Sequence, residues 1–190
     1  MNITPTELSE VLLVQTNNHR DNRGWFMESF RVDLLELALG HTVSFCQENQ
    51  VQSYYGVIRG LHYQMPPADQ SKLISVIEGT ILDVVVDIRK GSPNFGKHIA
   101  IKLSCKNQKQ LFIPRGFAHG YACLSEKARV TYKVDNYYNK SAEASIAFDD
   151  PQLNIDWQLP TDKIVLSEKD KFHPKFKAAK YFDYNQSLYE

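Results

Sequence analysis

Short runs of hydrophobic and β-branched residues, separated by polar turns, follow one another along most of the chain. Residues 72–88, KLISVIEGTILDVVVDI, contain two such runs around Glu78-Gly79-Thr80 and predict a β-hairpin. Residues 98–104 and 110–114 flank another polar turn, and three more short runs follow before residue 150. Many short strands with turns between them predict a mostly β fold, either a sandwich or a small barrel.

One segment has a different period. Residues 31–40, RVDLLELALG, have helical spacing and a glycine stop, which predict one short helix.

The length of the chain suits a single domain, placed at residues 1–176. Residues 177–190 are polar with interleaved aromatics and form a predicted C-terminal tail. The sequence leaves open whether this tail docks on the body, docks on a partner chain or frays.

The charges balance, with 22 lysines and arginines against 22 aspartates and glutamates. This balance argues against nucleic acid or an anionic membrane as the default partner. It also leaves room for a homo-oligomer, because a neutral chain has little charge repulsion to resist association.

The cysteines Cys46, Cys105 and Cys123 are odd in number and widely spaced. They predict a reducing compartment and three small buried hydrophobic side chains. The apolar run VLLV at residues 11–14 is too short for a signal peptide or a membrane span, so the expected location is the cytoplasm.

Candidate chemistry begins in GVIRGLHYQMPP, residues 56–67. This run alone leaves open whether His62 is functional or is a core or surface histidine that bonds a backbone carbonyl. On a regular strand Arg59 and His62 point to opposite faces, so they share a cavity only if the strand bulges or bends. We therefore predict a local irregularity at Gly60.

A second run, IPRGFAHGYA at residues 113–122, contains the Pro-x-Gly-x-x-His pattern of the second cupin signature. It predicts that His119 points into a barrel. The first cupin metal signature needs H-x-H, whereas this chain has His62-Tyr63-Gln64. Two histidines and an amide make a poor transition-metal site, so no metal is expected.

Three further segments are ambiguous when taken singly. Arg23 and Glu28 lie among aromatics in DNRGWFMESF, and form either an anion-binding group or an exposed ion pair. Tyr132 and Tyr138 are six residues apart, so on a regular strand they face the same way. They are either core fillers or a proton donor and a residue that stacks on a nucleotide base. Asp170 lies in a charged segment typical of a solvated loop.

Taken together, the motifs resemble the dTDP-4-dehydrorhamnose 3,5-epimerase family from about residue 21 to about residue 174. The resemblance rests on their fixed order: DNRGWFMESF, FCQENQ, GVIRGLHYQMPP, QSKLISVIEGTILDVVVDIRKGSPNFGK, IPRGFAHGYACLS, TYKVDNYY and LNIDW followed by LSEKD. It implies a cupin double-stranded β-helix (a jelly-roll barrel) with a few short helices. It also implies a homodimer without metal or cofactor, in which the partner subunit completes the nucleotide pocket.

The implied activity is that of an isomerase in dTDP-L-rhamnose biosynthesis, which inverts C3 and C5 of dTDP-4-dehydro-6-deoxy-D-glucose to give dTDP-4-dehydro-L-rhamnose. By the family's pattern His62 is the base, Asp170 its carboxylate partner, Tyr132 the acid and Lys72 the group that stabilises the enolate. The substrate-binding positions implied by the family are Arg23, Glu28, Gln47, Asn49, Arg59, His119, Tyr138 and Glu143. Among these, Tyr138 is the residue implied to stack on thymine.

The chain departs from the family's pattern at residues 50–53, which read Gln-Val-Gln-Ser where His-Ser-Arg-Ser is usual, and at His98, where an aromatic is common. These departures keep open a 3- or 5-only epimerase that acts on a related nucleotide 4-ketosugar. A metal-dependent cupin, such as a dioxygenase, and a non-catalytic sugar-binding cupin are the alternatives from other classes.

Overall fold

Two antiparallel β-sheets packed against each other form the body of the molecule in the computed structural model, which describes residues 1–189. The strand orders are β1-β2-β11-β7-β13-β5 and β10-β8-β12-β6-β14. The strands are β1 (Asn2–Pro5), β2 (Leu12–Gln15), β3 (Asn18–Asp21), β4 (Gly24–Met27), β5 (Gln47–Tyr54), β6 (Ile58–Gln64), β7 (Lys72–Glu78), β8 (Thr80–Asp87), β9 (Arg89–Lys90), β10 (His98–Ser104), β11 (Lys109–Ile113), β12 (Phe117–Cys123), β13 (Lys127–Val134), β14 (Glu143–Ser145) and β15 (Phe182–Asp183). Between β5 and β13 the chain crosses from one sheet to the other at most connections, as in a jelly-roll barrel. The predicted mostly β fold is confirmed.

The turn at Gly79 joins the two sheets, so the predicted hairpin is wrong. β7 belongs to the six-stranded sheet and β8 to the five-stranded sheet. Gly79 has a φ of 77°, and a Cβ there would lie 2.1 Å from the carbonyl oxygen of Lys127. A tight turn between two β-rich runs is common to a hairpin and to a barrel corner, and the long-range packing of each strand decides which of the two forms.

The central strands β8 and β12 of the five-stranded sheet are buried on both faces. On β8, Ile81 and Val85 face the core between the sheets, whereas Leu82 and Val84 face a second cluster on the outer side. C-terminal residues, among them Trp157, cover that outer cluster. A strand buried on both faces has a nearly continuous apolar run instead of alternation, and residues 80–87 have that composition.

The predicted helix is confirmed as α1 (Val32–Leu39), within one residue at each end. It ends at Gly40, whose φ of 75° suits a glycine C-cap. Leu35 is buried against the outer face of the six-stranded sheet. The remaining helical segments of residues 1–189 are the 3₁₀ turns Thr161–Lys163, Asp170–Phe172 and Phe176–Ala178. None of these helices has the length and apolar composition needed to span a bilayer.

The three cysteines are free, but they are not all buried as predicted. Cys123 is buried in the core, Cys105 is partly buried and Cys46 is exposed. Cys46 lies just before β5, the edge strand of the six-stranded sheet, where one side of the backbone has no neighbouring strand to cover it.

The C-terminal tail docks on the body over residues 177–189, and residue 190 lies outside the described part of the chain. Phe182 is buried, and β15 pairs with β9 in parallel. The hydroxyl of Tyr189 lies 2.8 Å from Oγ of Ser71 and accepts the backbone N–H of Arg115 at 3.1 Å. The domain limit at residue 176 stays a prediction.

Candidate active site

A β-bulge in β6 turns two predicted site residues into the same cavity. Between Arg59 and His62 the strand has one more residue than the facing segment of β12. Gly60 has a φ of 123°, and a Cβ there would lie 2.6 Å from Cα of Gly120, so this position requires glycine. Leu61 turns into the outer core, while Arg59 and His62 line the cavity. The predicted irregularity at Gly60 is confirmed.

The cavity lies between the two sheets and has a volume of about 460 Å³. This volume is within the range of pockets that hold small ligands. Every predicted site residue except Arg23 and Glu28 lines it, namely Gln47, Asn49, Arg59, His62, Lys72, His119, Tyr132, Tyr138, Glu143 and Asp170. Residues far apart in the sequence therefore converge on one site.

His62 and Asp170 form a hydrogen-bonded pair on one side of the cavity. Nε2 of His62 lies 2.8 Å from Oδ1 of Asp170, which is buried at the start of a 3₁₀ turn. The backbone N–H of Asp170 donates to Oγ of Ser167 at 3.1 Å and fixes that turn. Burial is the largest single effect and opposes ionisation, but the hydrogen bond and charge of His62, the hydrogen bond with Ser167 and the charge of His173 together lower the pKa of Asp170 below its ordinary value. The carboxylate can therefore orient the imidazole and stabilise its protonated form.

Lys72 lies at the start of β7, on the opposing sheet from His62. Its Nζ lies 3.5 Å from the backbone carbonyl oxygen of His62. Burial lowers the pKa of Lys72 to about 8, although the charges of Asp83 and Glu143 partly oppose the change. The side chain thus places a poorly solvated ammonium group beside the proposed base.

Tyr132 also lies on the opposing sheet, in β13. Burial raises the pKa of its phenol, and the charge of Arg59 partly offsets that effect. The phenol is therefore protonated at neutral pH and can donate a proton. His119 lies on β12, where its Nε2 is 2.9 Å from Oδ2 of the buried Asp83.

Tyr138 reaches the cavity from a loop. The expectation that Tyr132 and Tyr138 share one face of a regular strand is wrong, because β13 ends at Val134. The backbone N–H of Tyr138 donates to Oε1 of Gln47 at 3.2 Å, and its hydroxyl donates to Oε2 of Glu143 at 3.0 Å. These bonds hold an aromatic ring, largely exposed, at the mouth of the cavity.

Arg23 and Glu28 do not reach the cavity of their own chain. Arg23 pairs with Asp21 at 2.6 Å, and its side chain is 86% exposed. Oε1 of Glu28 lies 3.6 Å from the guanidinium nitrogen Nη1 of Arg31. No residue of the β3–β4 hairpin lines the cavity, and these two predicted positions lie outside it.

Several polar residues of the cavity region were not predicted from the sequence. Lys169 forms an ion pair with Glu143 beside the cavity, and its position next to Asp170 was an available signal. His173 lies three residues after Asp170, a spacing that places both side chains together on a short turn. Its ring packs edge-on against His62, with 5.2 Å between ring centroids.

Known proteins resemble this chain over most of its length. The family model for dTDP-4-dehydrorhamnose 3,5-epimerase matches residues 5–178. The dTDP-4-dehydrorhamnose 3,5-epimerase of Shigella flexneri is 46% identical over 182 residues, which are 96% of this chain and 99% of the relative.

Two solved structures share the fold. The 3,5-epimerase of Legionella pneumophila in complex with dTDP-4-keto-L-rhamnose has a TM-score of 0.92 and 41% identity, covering 97% of this chain and 99% of that chain. A 3′-monoepimerase of Streptomyces bikiniensis in complex with dTDP-quinovose has a TM-score of 0.85 and 30% identity, covering 92% of this chain and 87% of that chain. The chain belongs to the dTDP-4-dehydrorhamnose 3,5-epimerase family.

Proposed function

We propose that this protein epimerises dTDP-4-dehydro-6-deoxy-D-glucose at C3 and C5, without a cofactor, to give dTDP-4-dehydro-L-rhamnose. The observation that carries the proposal is the position of the His62–Asp170 pair and of Tyr132 on opposing sheets of one cavity. Inversion at a carbon needs proton removal on one face and proton return on the other. Two proton-transfer groups that face each other meet this need.

In the proposed mechanism His62 removes the proton from a carbon next to the ketone. Asp170 accepts a hydrogen bond from Nε2–H of His62, which leaves Nδ1 as the base. The carboxylate also stabilises the imidazolium that forms. Negative charge then develops on the ketone oxygen, and the ammonium group of Lys72 stabilises the enolate electrostatically.

Tyr132 then returns a proton to the opposite face of the same carbon. Its phenol is protonated in the resting enzyme because burial raises its pKa. The tyrosinate that forms after donation recovers its proton from solvent, and His62 loses its extra proton. Repeating the cycle at the second carbon completes the double inversion. Each proton-transfer group contributes a factor of about 10²–10⁴ to the rate.

The dTDP part of the substrate is proposed to lie at the mouth of the cavity. The ring of Tyr138 is exposed there and can stack on thymine, and Arg59 supplies a guanidinium for the pyrophosphate. Gln47 and Asn49, which are hydrogen-bonded to each other at 2.8 Å, contribute further polar contacts along β5. His119 and Glu143 are assigned to the sugar end.

We further propose a homodimer in which each chain supplies Arg23 and Glu28 to the cavity of its partner. Two features support this. The strand β5 is an edge of the six-stranded sheet, so its outer side is open for pairing. The nearby β3–β4 hairpin exposes Trp25 at 57% and Phe26 at 65%, which is typical of aromatics that anchor an interface.

The cytoplasm is the proposed location, because three free cysteines, one of them exposed, suit a reducing compartment.

A second candidate function is epimerisation at one carbon only. It is favoured by Val51, which lines the cavity at a position where the family usually has a hydroxyl. The fold is also shared with a 3′-monoepimerase.

Deuterium exchange separates the two candidates. The enzyme is incubated with dTDP-4-dehydro-6-deoxy-D-glucose in D₂O, and the sugar protons are followed by NMR. Exchange at both C3 and C5 together with formation of dTDP-4-dehydro-L-rhamnose is the expected result. Exchange at a single carbon supports the second candidate, and exchange at neither carbon contradicts both for this substrate.

A further inference from the structure

His173 packs against the proposed catalytic pair but has no role in the mechanism above. Its side chain is 4% exposed, and its Nε2 lies 3.3 Å from the same oxygen, Oδ1 of Asp170, that bonds His62. Its ring also meets the ring of His62 edge-on. Two imidazoles therefore converge on one carboxylate oxygen at the side of the cavity.

Both ring nitrogens of His173 are buried and, among residues 1–189, neither has a hydrogen-bond partner with acceptable geometry. Such a group is uncommon in a folded protein, since a buried polar atom without a partner has lost its hydration and gained no hydrogen bond in return. A neutral imidazole without a partner is a ready metal ligand.

We propose that His62, Asp170 and His173 bind one Zn²⁺ ion, or a similar divalent transition-metal ion, and that this ion inhibits the enzyme. One ligand atom from each of the three residues lies within 4.8 Å of the others. Tetrahedral Zn²⁺ with bonds of about 2.0–2.1 Å needs ligand atoms about 3.3 Å apart. The separation of 3.3 Å between Nε2 of His173 and Oδ1 of Asp170 matches this value, whereas the 2.8 Å hydrogen bond between His62 and Asp170 has to open to admit the ion.

The ion would enter from the cavity, because the side chain of His62 is 31% exposed whereas Asp170 and His173 are buried behind it. Two histidines and one carboxylate would leave a fourth coordination position open for water. The pair His119 and Asp83 offers two ligands, with no third His, Cys, Asp or Glu grouped with them among residues 1–189, and serves as the internal comparison.

Inhibition rests on the proposed function and follows from the tautomer of His62. When the ion occupies Nε2, the single proton of the neutral ring must lie on Nδ1. No lone pair then remains to accept the proton of the substrate. Asp170 is bound to the ion at the same time and no longer orients the base. The resting enzyme needs no metal, and the bound ion blocks its first step.

The test uses chelator-treated wild-type protein and Zn²⁺ alone. Calorimetry is expected to show one Zn²⁺ per chain, and Co²⁺ in its place gives visible absorption bands of a four- or five-coordinate site. His173→Gln, which keeps a polar side chain but is a poor zinc ligand, is expected to weaken binding at least about tenfold. His119→Ala is the matched control, and its zinc affinity should equal that of wild type.

Histidine ring ¹⁵N NMR of the wild-type protein does not depend on the folding of a variant. Zn²⁺ should shift the ring signals of His62 and His173 and leave those of His119 in place. Absence of a one-to-one site, or equal affinity in His173→Gln, overturns the site. Zinc that binds without slowing solvent exchange at the sugar overturns inhibition. If the metal-free enzyme does not turn over the sugar while zinc still binds, the proposed function fails and the metal site stands.

Discussion

Replacing Lys72 with methionine should make the protein more stable and much less active. Lys72 carries its charge in a poorly solvated position between the sheets, where burial lowers its pKa from 10.5 to about 8. Methionine has a similar length, fills the same space and needs no hydration. The side chain that weakens the fold is also the one proposed to stabilise the enolate, so the two effects should have opposite signs.

The magnitude follows from the pKa change. A difference between 10.5 and about 8 corresponds to about 3 kcal/mol, at about 1.36 kcal/mol per unit. Below pH 8 the lysine is charged in both the folded and the unfolded chain, so the fold bears the whole cost. Above pH 8 the folded chain releases the proton first, and the cost falls until the pH reaches 10.5. The stabilisation by Lys72→Met should therefore be largest at pH 7 and absent above pH 10.5.

Urea unfolding at fixed protein concentration measures the first effect, and kcat the second. We expect a gain of up to about 3 kcal/mol at pH 7 and a fall in kcat of about 10²–10³. Lys102→Met, on an exposed position of β10, is the matched control and should change neither quantity appreciably. A loss of stability at pH 7, or a gain that does not depend on pH, would refute the reasoning about burial. An unchanged kcat would remove Lys72 from the mechanism.

Asp170→Asn should lower kcat by about 10²–10⁴ because the imidazolium loses its stabilising charge, with little change in dTDP affinity measured by calorimetry. Tyr132→Phe should abolish formation of the inverted product while NMR in D₂O still shows some exchange, because abstraction survives and reprotonation on the other face does not. Gly60→Ala should lower both the melting temperature and kcat, because its Cβ would lie 2.6 Å from Cα of Gly120; wild-type values for both would contradict the role of the bulge. Arg23→Ala should weaken dTDP binding although Arg23 is exposed in its own chain, and unchanged binding would contradict the shared pocket.

Local pattern was sufficient for the elements that depend on nearest neighbours. Helix α1 has its own apolar spacing and its own glycine stop, and the structure places it within one residue of the prediction. The bulge in β6 was also predictable, because Arg59 and His62 can share a cavity only if strand alternation breaks at Gly60.

The pairing of the strands and the position of Asp170 depend on long-range packing, which the local sequence pattern does not determine. The turn at Gly79 has the chemistry of a hairpin, but the two strands that it joins pair with partners in different sheets. Asp170 lies in a segment that is typical of a solvated loop. The fold brings its Oδ1 to 2.8 Å from Nε2 of His62, which is 108 residues away in the sequence. The position of His173 beside His62 and Asp170 depends on the same long-range contact, so the sequence alone did not indicate it.

If His62 is the base, its removal must slow solvent exchange at both carbons of the sugar. His62→Ala is incubated with dTDP-4-dehydro-6-deoxy-D-glucose in D₂O, after calorimetry has shown that it still binds dTDP. We expect exchange at both C3 and C5 to slow by about 10²–10⁴ relative to wild type. Exchange at either carbon that continues at the wild-type rate would contradict the mechanism.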